Sequence, residues 1–208
     1  MVKEGRRDFD AVAQQWDQEP RRQKLAEDVV AAIRKEVPLS KEMNALDYGC
    51  GSGLVTLGLR PYVKSITGAD SSQGMLDVLN AKIRQGELGN VETRLLDLEE
   101  RVNLRRRYDL IVSSMTMHHV DDVAALIGAL SDGLRRGGWL AIADLKAEDG
   151  SFHDNPTGVL HAGFEPSFLK SVFESCGLST VRVVTAAVVD KSNDRHNQVL
   201  LCVGRKEG

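Results

Sequence analysis

The sequence predicts an α/β fold: a Rossmann-like, seven-stranded, mostly parallel sheet with helices on both faces and a C-terminal antiparallel hairpin. Three observations predict it. Short runs rich in Val, Ile and Leu alternate with helix-period segments from residue 43 onward. A glycine-rich turn, Gly49-Cys50-Gly51-Ser52-Gly53, follows the first of these runs. The last two apolar runs are joined by a polar connection, 190–197, too short for a crossover helix, so they are expected to pair antiparallel.

Near the amino terminus, Phe9, Val12, Ala13 and Trp16 share one helix face. Leu25, Val29, Ile33 and Val37 then recur every four residues, the drift of a single helix face, and Pro38 stops that helix. Strands are expected at 45–48, 65–69, 91–96, 108–113 and 139–143. The helices between them include one leaving the glycine turn and stopping at Pro61, one with Met75, Leu76, Leu79 and Ile83 on its apolar face, and one carrying Val123, Leu126, Ile127, Leu130 and Leu134. A polar loop at 151–164 leads into a helix beginning near Pro166, and the hairpin strands are expected at 180–189 and 198–204. Arg105-Arg106-Arg107 and Arg135-Arg136 precede strands four and five, which puts them at the rim opposite the ligand edge, with no catalytic role.

A chain of 208 residues with 42% hydrophobic content fills one core. The expected organisation is a single domain, 1–208, with an N-terminal helical lid segment at 1–42 and the Rossmann-like core at 43–208. Lys+Arg 27 against Asp+Glu 30 gives a net charge of −3, so no positive field gathers nucleic acid or anionic membrane. Residues 1–9 are charged and no run approaches the roughly 18 apolar residues of a membrane span, which predicts a soluble, cytoplasmic protein. Cys50, Cys176 and Cys202 lack C-x-x-C spacing, so neither a disulfide framework nor a metal site is expected.

In such a sheet, ligands bind outside the carboxyl ends of the strands near the switch in strand order. A dinucleotide loop would place its third glycine at position 54, which is Leu54; the glycines instead fall at 49, 51 and 53. No Gly-Lys-Ser/Thr follows, so the loop is not a Walker A motif either. Asp47, beside the loop, would repel a pyrophosphate and attract a sulfonium or ammonium. Asp70 closes the second strand, where a carboxylate can accept from ribose hydroxyls, and Asp97 ends the third. One acidic strand end by itself reads as a helix cap. Three of them in register with a G-x-G-x-G loop read as a pocket for a cationic nucleoside.

With the hydrophobic-x-Asp-x-Gly-x-Gly-x-Gly loop at 45–53, the chain resembles the class I S-adenosylmethionine-dependent methyltransferases over residues 47–144. The small-molecule branch, with its ubiquinone and menaquinone methyltransferases, provides the nearest pattern. The resemblance implies S-adenosyl-L-methionine as cofactor and S-adenosyl-L-homocysteine as product. By it Gly49, Cys50, Gly51 and Gly53 pass beneath the methionine moiety, Asp70 binds the ribose hydroxyls, Asp97 and the Leu98 amide contact the adenine, and Asp47 and Ser71 belong to the cofactor-binding set. Met75 either lines the adenine pocket or simply belongs to the buried face of its helix, and Ser114 ends the fourth strand beside the cofactor. The string Phe9-Asp10-x-x-Ala13-x-x-Trp16-Asp17 is similar to the family's opening segment, which covers the cofactor in relatives.

Beyond Ser114 the chain reads Met115-Thr116-Met117-His118-His119-Val120, without the Asn/Asp-Pro-Pro-aromatic tetrad or the Pro-Cys nucleophile of enzymes that methylate nucleic-acid bases. The expected partner is therefore a small-molecule methyl acceptor, not nucleic acid or membrane, in a monomer or homodimer. His118 and His161 are the candidate catalytic residues. For His118 three roles stay open: a wall of the cofactor pocket, a general base, or none. His161 would contact substrate from the 151–164 loop, and Lys191, Arg195 and His196 on the hairpin tip would meet an anionic substrate group or only solvent. Two rivals remain, an oxidoreductase on a similar fold, against which Leu54 speaks, and a catalytically silent cofactor-binding or protein-interaction member.

Overall fold

The computed structural model describes residues 8–96, 104, 107–153, 155–191 and 195–207. Asp97 and Leu98 lie outside the described residues, as do Arg105 and Arg106. Seven strands form one sheet: β1 (Asn44–Tyr48), β2 (Ser65–Asp70), β3 (Val91–Leu95), β4 (Tyr108–Ser114), β5 (Leu134–Leu145), β6 (Leu178–Lys191) and β7 (Arg195–Lys206). Their order is β3-β2-β1-β4-β5-β7-β6. The first five pair in parallel, and β7 runs antiparallel to both β5 and β6. The chain therefore steps outward from β1 to β3 and returns to β4 on the other side of β1. In such sheets ligands bind at this switch, outside the carboxyl ends of β1 and β4.

Among the described residues five α-helices cover the sheet: α1 (Pro20–Glu36), α2 (Leu54–Leu59), α3 (Gln73–Gln85), α4 (Val123–Gly133) and α5 (Pro166–Ser175). Pro20 opens α1, where its missing N–H costs nothing. Ser72 caps α3 by accepting from Met75 N at 3.1 Å, and Asp122 caps α4 by accepting from Ala125 N at 2.9 Å.

Because side chains alternate across each strand, the sheet separates two cores. Ala45, Val112, Ala141, Ala143, Leu145, Val199 and Leu201 pack with Val29, Val30, Ile33, Val55 and Leu59 beneath α1 and α2. Leu46, Ile111, Leu140, Ile142, Leu200 and Cys202 pack with Ile127, Leu130, Leu169 and Phe173 beneath α4 and α5.

Three expectations change. Leu134, read as the last position of a helix face, opens β5 instead, because α4 stops at Gly133 and the left-handed Gly137 (φ +77°) carries the strand on towards Trp139. The hairpin strands extend beyond 180–189 and 198–204 because the polar residues flanking each run also join the ladder. Phe9 and Trp16 do not share a helical face. Residues 13–18 form a 3-10 turn in which only Ala13 is buried, and Phe9 meets Trp16 edge-on at 5.8 Å.

Candidate functional site

The glycine loop leaves β1 with Gly49 N and Cys50 N both donating to Ala69 O of β2, at 2.8 and 3.1 Å. Gly49, Gly51 and Gly53 all adopt left-handed φ, of +72°, +53° and +87°. Their surroundings differ. A Cβ on Gly49 would lie 2.3 Å from Thr116 Oγ1, and one on Gly53 would lie 2.4 Å from Leu79 Cδ1. Those two glycines let protein pack on protein. A Cβ on Gly51 would meet only Met75 Sδ, at 4.0 Å, so the loop offers bare backbone at this point. Cys50 turns its thiol into the small core of Leu76 and Leu79, and its main chain is spent within the turn, N–H on Ala69 O and carbonyl accepting from Gly53 N at 3.0 Å.

Asp70 anchors the loop from the end of β2. Its Oδ2 accepts from Gly51 N at 2.7 Å and its Oδ1 from Ser72 N at 2.9 Å, and burial raises its pKa. Ser71 beside it is exposed. Met75 is on the buried face of α3, beside Gly51.

Asp47 departs from expectation. Strand alternation turns it away from the cleft and under the loop, where it is 1% exposed and accepts from Thr56 Oγ1 of α2 at 2.6 Å. It supports the loop from below, on the face of β1 that packs against α2. Burial, opposed by the Thr56 hydrogen bond and reinforced by the charge of Asp70, pushes its pKa up to about 7. A carboxyl whose folded pKa exceeds its unfolded value holds its proton more tightly when folded, so its contribution to stability falls as pH rises from about 4 to about 7. Asp47→Asn is expected to flatten that fall by up to about 4 kcal/mol while an amide oxygen still accepts from Thr56. Urea unfolding of both proteins at pH 4.5 and 7.5 measures it, and parallel curves would refute the assignment.

The N-terminal segment crosses this edge on two carboxylates. Asp10 accepts from Ser72 Oγ and from Gly74 N at 2.8 Å, at the start of α3. Asp17 accepts from Ser52 Oγ of the glycine loop and pairs with Lys82 of α3. Phe9 lies edge-on to His119 at 5.5 Å. The segment thus touches the glycine loop, α3 and the turn after β4.

That turn is entered through Met115, whose left-handed φ of +54° bends the chain out of β4, a conformation uncommon for a side-chain-bearing residue. Ser114, half-buried, accepts from Thr116 Oγ1 at 3.1 Å, and Thr116 also donates towards Gly49 O at 3.3 Å. His118 is 1% exposed and its Nδ1 lies 2.7 Å from Oδ1 of the fully buried Asp144, at the end of β5. Asp144 also accepts from Met117 N and Leu145 N, both at 2.8 Å, and from His118 N at 3.4 Å. The rings of His119 and His153 lie tilted on His118 with centroids at 4.1 and 4.8 Å.

The loop after β5 closes over this turn. It is tied at its base by Phe164 N to Leu145 O, and at its tip Leu160 N and His161 N donate to His118 O at 2.8 and 3.2 Å. His119 Nδ1 meets Gly158 O at 2.7 Å. His161 Nε2 meets Val120 O at 2.9 Å, so its ring secures the loop to the turn. At the hairpin tip, His196 is exposed and pairs with Asp190. His118 and Asp144 are 26 residues apart in the sequence. Only the adjacency of β4 and β5 brings them together.

Among the described residues no cluster of His, Cys, Asp or Glu is arranged to hold a metal, and no helix is long and apolar enough to cross a membrane.

A family profile described as a methyltransferase domain matches residues 18–183. An uncharacterized methyltransferase of Schizosaccharomyces pombe is 34% identical over 160 residues, covering 70% of this chain and 56% of that protein. A ubiquinone biosynthesis O-methyltransferase of Nitrosomonas europaea is 33% identical over 113 residues, covering 53% of this chain and 47% of that one. The chain therefore spans about half the length of these relatives. Its fold is shared with a solved complex of the Haloferax volcanii Trm112 methyltransferase activator and a putative methyltransferase, at a TM-score of 0.79 and 17% identity, over 97% of this chain and 99% of that one.

Proposed function

The chain belongs to the methyltransferase-domain family, in the class I S-adenosylmethionine-dependent group, and from that premise we propose that it moves the methyl group of S-adenosyl-L-methionine to a nucleophilic O, N, S or C atom of a small molecule by in-line displacement. The observation that carries this reading is the contrast within the glycine loop. Gly49 and Gly53 are filled by Thr116 and Leu79, whereas Gly51 presents open backbone between the Asp70 carboxylate and Met75. A nucleoside with a methionine tail fits such a strip: Gly51 and its neighbours would hold the tail, Asp70 the ribose hydroxyls and Met75 one face of the base. The bound sulfonium supplies both the activated methyl carbon and the leaving group. The protein's task is then to align the acceptor, which is worth up to roughly 7–11 kcal/mol. The N-terminal segment, held by Asp10 and Asp17, supports a lid reading in which water is kept from the transfer.

Leu54 at the position of the third dinucleotide glycine, together with the family match, weighs against the oxidoreductase rival. Thermal unfolding with S-adenosylhomocysteine, S-adenosylmethionine or NADH in separate wells tests the reading. A ligand at a hundredfold excess over its Kd adds about 2.7 kcal/mol, a shift of several degrees for a chain of this size. Stabilisation by the two sulfur nucleosides alone is expected. A shift with NADH only would overturn the assignment, and no shift with any of the three would favour a silent scaffold.

A further inference from the structure

The N-terminal segment, 8–18, is fixed differently at its two ends. Its Trp16–Asp17 end is bound by α1, α3 and the glycine loop together. From the first turns of α1, Arg22 Nη1 donates to Trp16 O at 2.9 Å with its guanidinium 3.8 Å over the Trp16 ring, and Gln23 Nε2 donates to Asp17 O at 2.6 Å. Lys82 of α3 pairs with Asp17 and donates to Ser52 O at 2.7 Å, while Ser52 Oγ donates to Asp17. This end is an anchor. The Phe9–Asp10 end lies against the start of α3 through Asp10, whose Oδ1 accepts from Ser72 Oγ and from Gly74 N.

Gly74 is what lets Asp10 sit there. A Cβ on Gly74 would lie 3.0 Å from Asp10 Cα, 3.1 Å from Asp10 Oδ1 and 3.2 Å from Asp10 O. The helix has no need of glycine at this position, since Gly74 lacks the left-handed φ of the loop glycines and most residues are better helix formers. Ser72 then joins the seat to the open strip of the glycine loop. It is buried, its N–H donates to Asp70 Oδ1 at 2.9 Å, and its Oγ donates to Asp10 while accepting from Met75 N. Asp70 in turn accepts from Gly51 N, and Ser52 follows Gly51 in the loop. The two ends of the segment therefore bracket the strip at Gly51, one at Ser72 and one at Ser52.

Resting on the methyl-transfer reading above, we propose that Asp10, Ser72 and Gly74 are positioning residues that latch the segment over the nucleoside, and that opening of this latch sets how fast the S-adenosyl compound leaves. The segment swings on its anchor at Asp17. Within its 3-10 turn only Ala13 is buried, so little apolar surface resists the swing. Ligand and latch meet in Ser72. Hydroxyl groups donating to Asp70 fix the carboxylate that orients the Ser72 N–H, and Ser72 presents its Oγ to Asp10. Binding and closure then favour each other by the same factor in both directions.

The test needs no identified acceptor. Tritiated S-adenosylmethionine, bound to the full chain and chased with unlabelled S-adenosylhomocysteine, is expected to leave Gly74→Leu and Asp10→Ala at least about tenfold faster than the wild type, the loss of one or more hydrogen bonds to a charged group. Gly74→Ala, whose methyl group asks Asp10 to give by a few tenths of an ångström, should fall between. Asp10→Asn keeps an oxygen at both donors and is expected to stay within about threefold of the wild type. Hydrogen exchange read by mass spectrometry separates a latch from a merely structural role. In Gly74→Leu and Asp10→Ala the segment at 8–18 is expected to exchange at least about tenfold faster while α3 stays as protected as in the wild type. Release at the wild-type rate from both variants, faster release with the segment's exchange unchanged, or loss of protection in α3 of both would overturn the latch. A wild-type protein that retains no tritiated ligand sinks the methyl-transfer reading itself, whereas retention that none of the variants alters sinks only the latch.

Discussion

Asp70→Ala is expected to weaken S-adenosylhomocysteine binding a hundredfold or more, as read by calorimetry. The Asp70 carboxylate already holds Gly51 N and Ser72 N, at 2.7 and 2.9 Å, and a carboxylate can accept further donors. Hydrogen bonds to a charged group contribute roughly 1.5–3 kcal/mol each, so losing a pair of ribose hydroxyls costs at least about 3 kcal/mol, or more than a hundredfold in Kd. Freeing the Gly51 amide loosens the loop that would carry the methionine end and adds to the loss. Asp70→Asn retains one acceptor and is expected to fall between the two. An unchanged Kd in the alanine variant would remove Asp70 from the nucleoside site.

The second large effect separates two glycines only two residues apart. Gly49→Ala would drive a methyl group into Thr116, whose Oγ1, Cγ2 and Cβ lie 2.3, 2.5 and 2.9 Å from the new carbon. A left-handed residue with a side chain costs roughly 1–2 kcal/mol and overpacking a further 1–3 kcal/mol. At about 2–4 °C per kcal/mol for a chain of this size, the melting temperature is expected to drop by roughly 10 °C. Gly51→Ala meets nothing closer than 4.0 Å and carries only the backbone cost, so it should melt within a few degrees of the wild type. Its methyl group occupies the open strip, however, and S-adenosylhomocysteine binding is expected to disappear. If the two variants melted alike and bound alike, the division of the loop into packed and ligand-facing glycines would be wrong.

Much of this architecture is legible in the sequence because the central parallel strands β1, β4 and β5 are buried on both faces. Their Val, Ile and Leu runs stand out against the helical periods, and Gly49, Gly51 and Gly53 mark the turn that the first strand must make. What escapes is set by other forces. The β5 boundary at Leu134 depends on where α4 ends, and an apolar residue at a helix–strand junction satisfies either period. The N-terminal segment presents apolar residues at helical spacing but is held by Asp10 and Asp17, whose partners lie on α3 and the glycine loop. Asp47 sits beside the loop in sequence, yet strand alternation sends it to the opposite face. The His118–Asp144 pair spans 26 residues and exists only because β4 and β5 are neighbours in the sheet.

The two cores on either side of the sheet bear on how substitutions combine. Leu200 and Leu201 are adjacent in the chain, but each is packed with a different set of helices. Changes in their volume should add without coupling, whereas changes at Leu201 and Ala143, far apart in sequence but paired across β7 and β5 in one core, should compensate one another. The same separation reaches the buried acids. Asp47 faces the side of α2, and Asp144 faces the side carrying His118. The layer that supports the cradle and the layer that sets the histidine can therefore be altered one at a time, and new acceptor chemistry could arise beside an untouched nucleoside site.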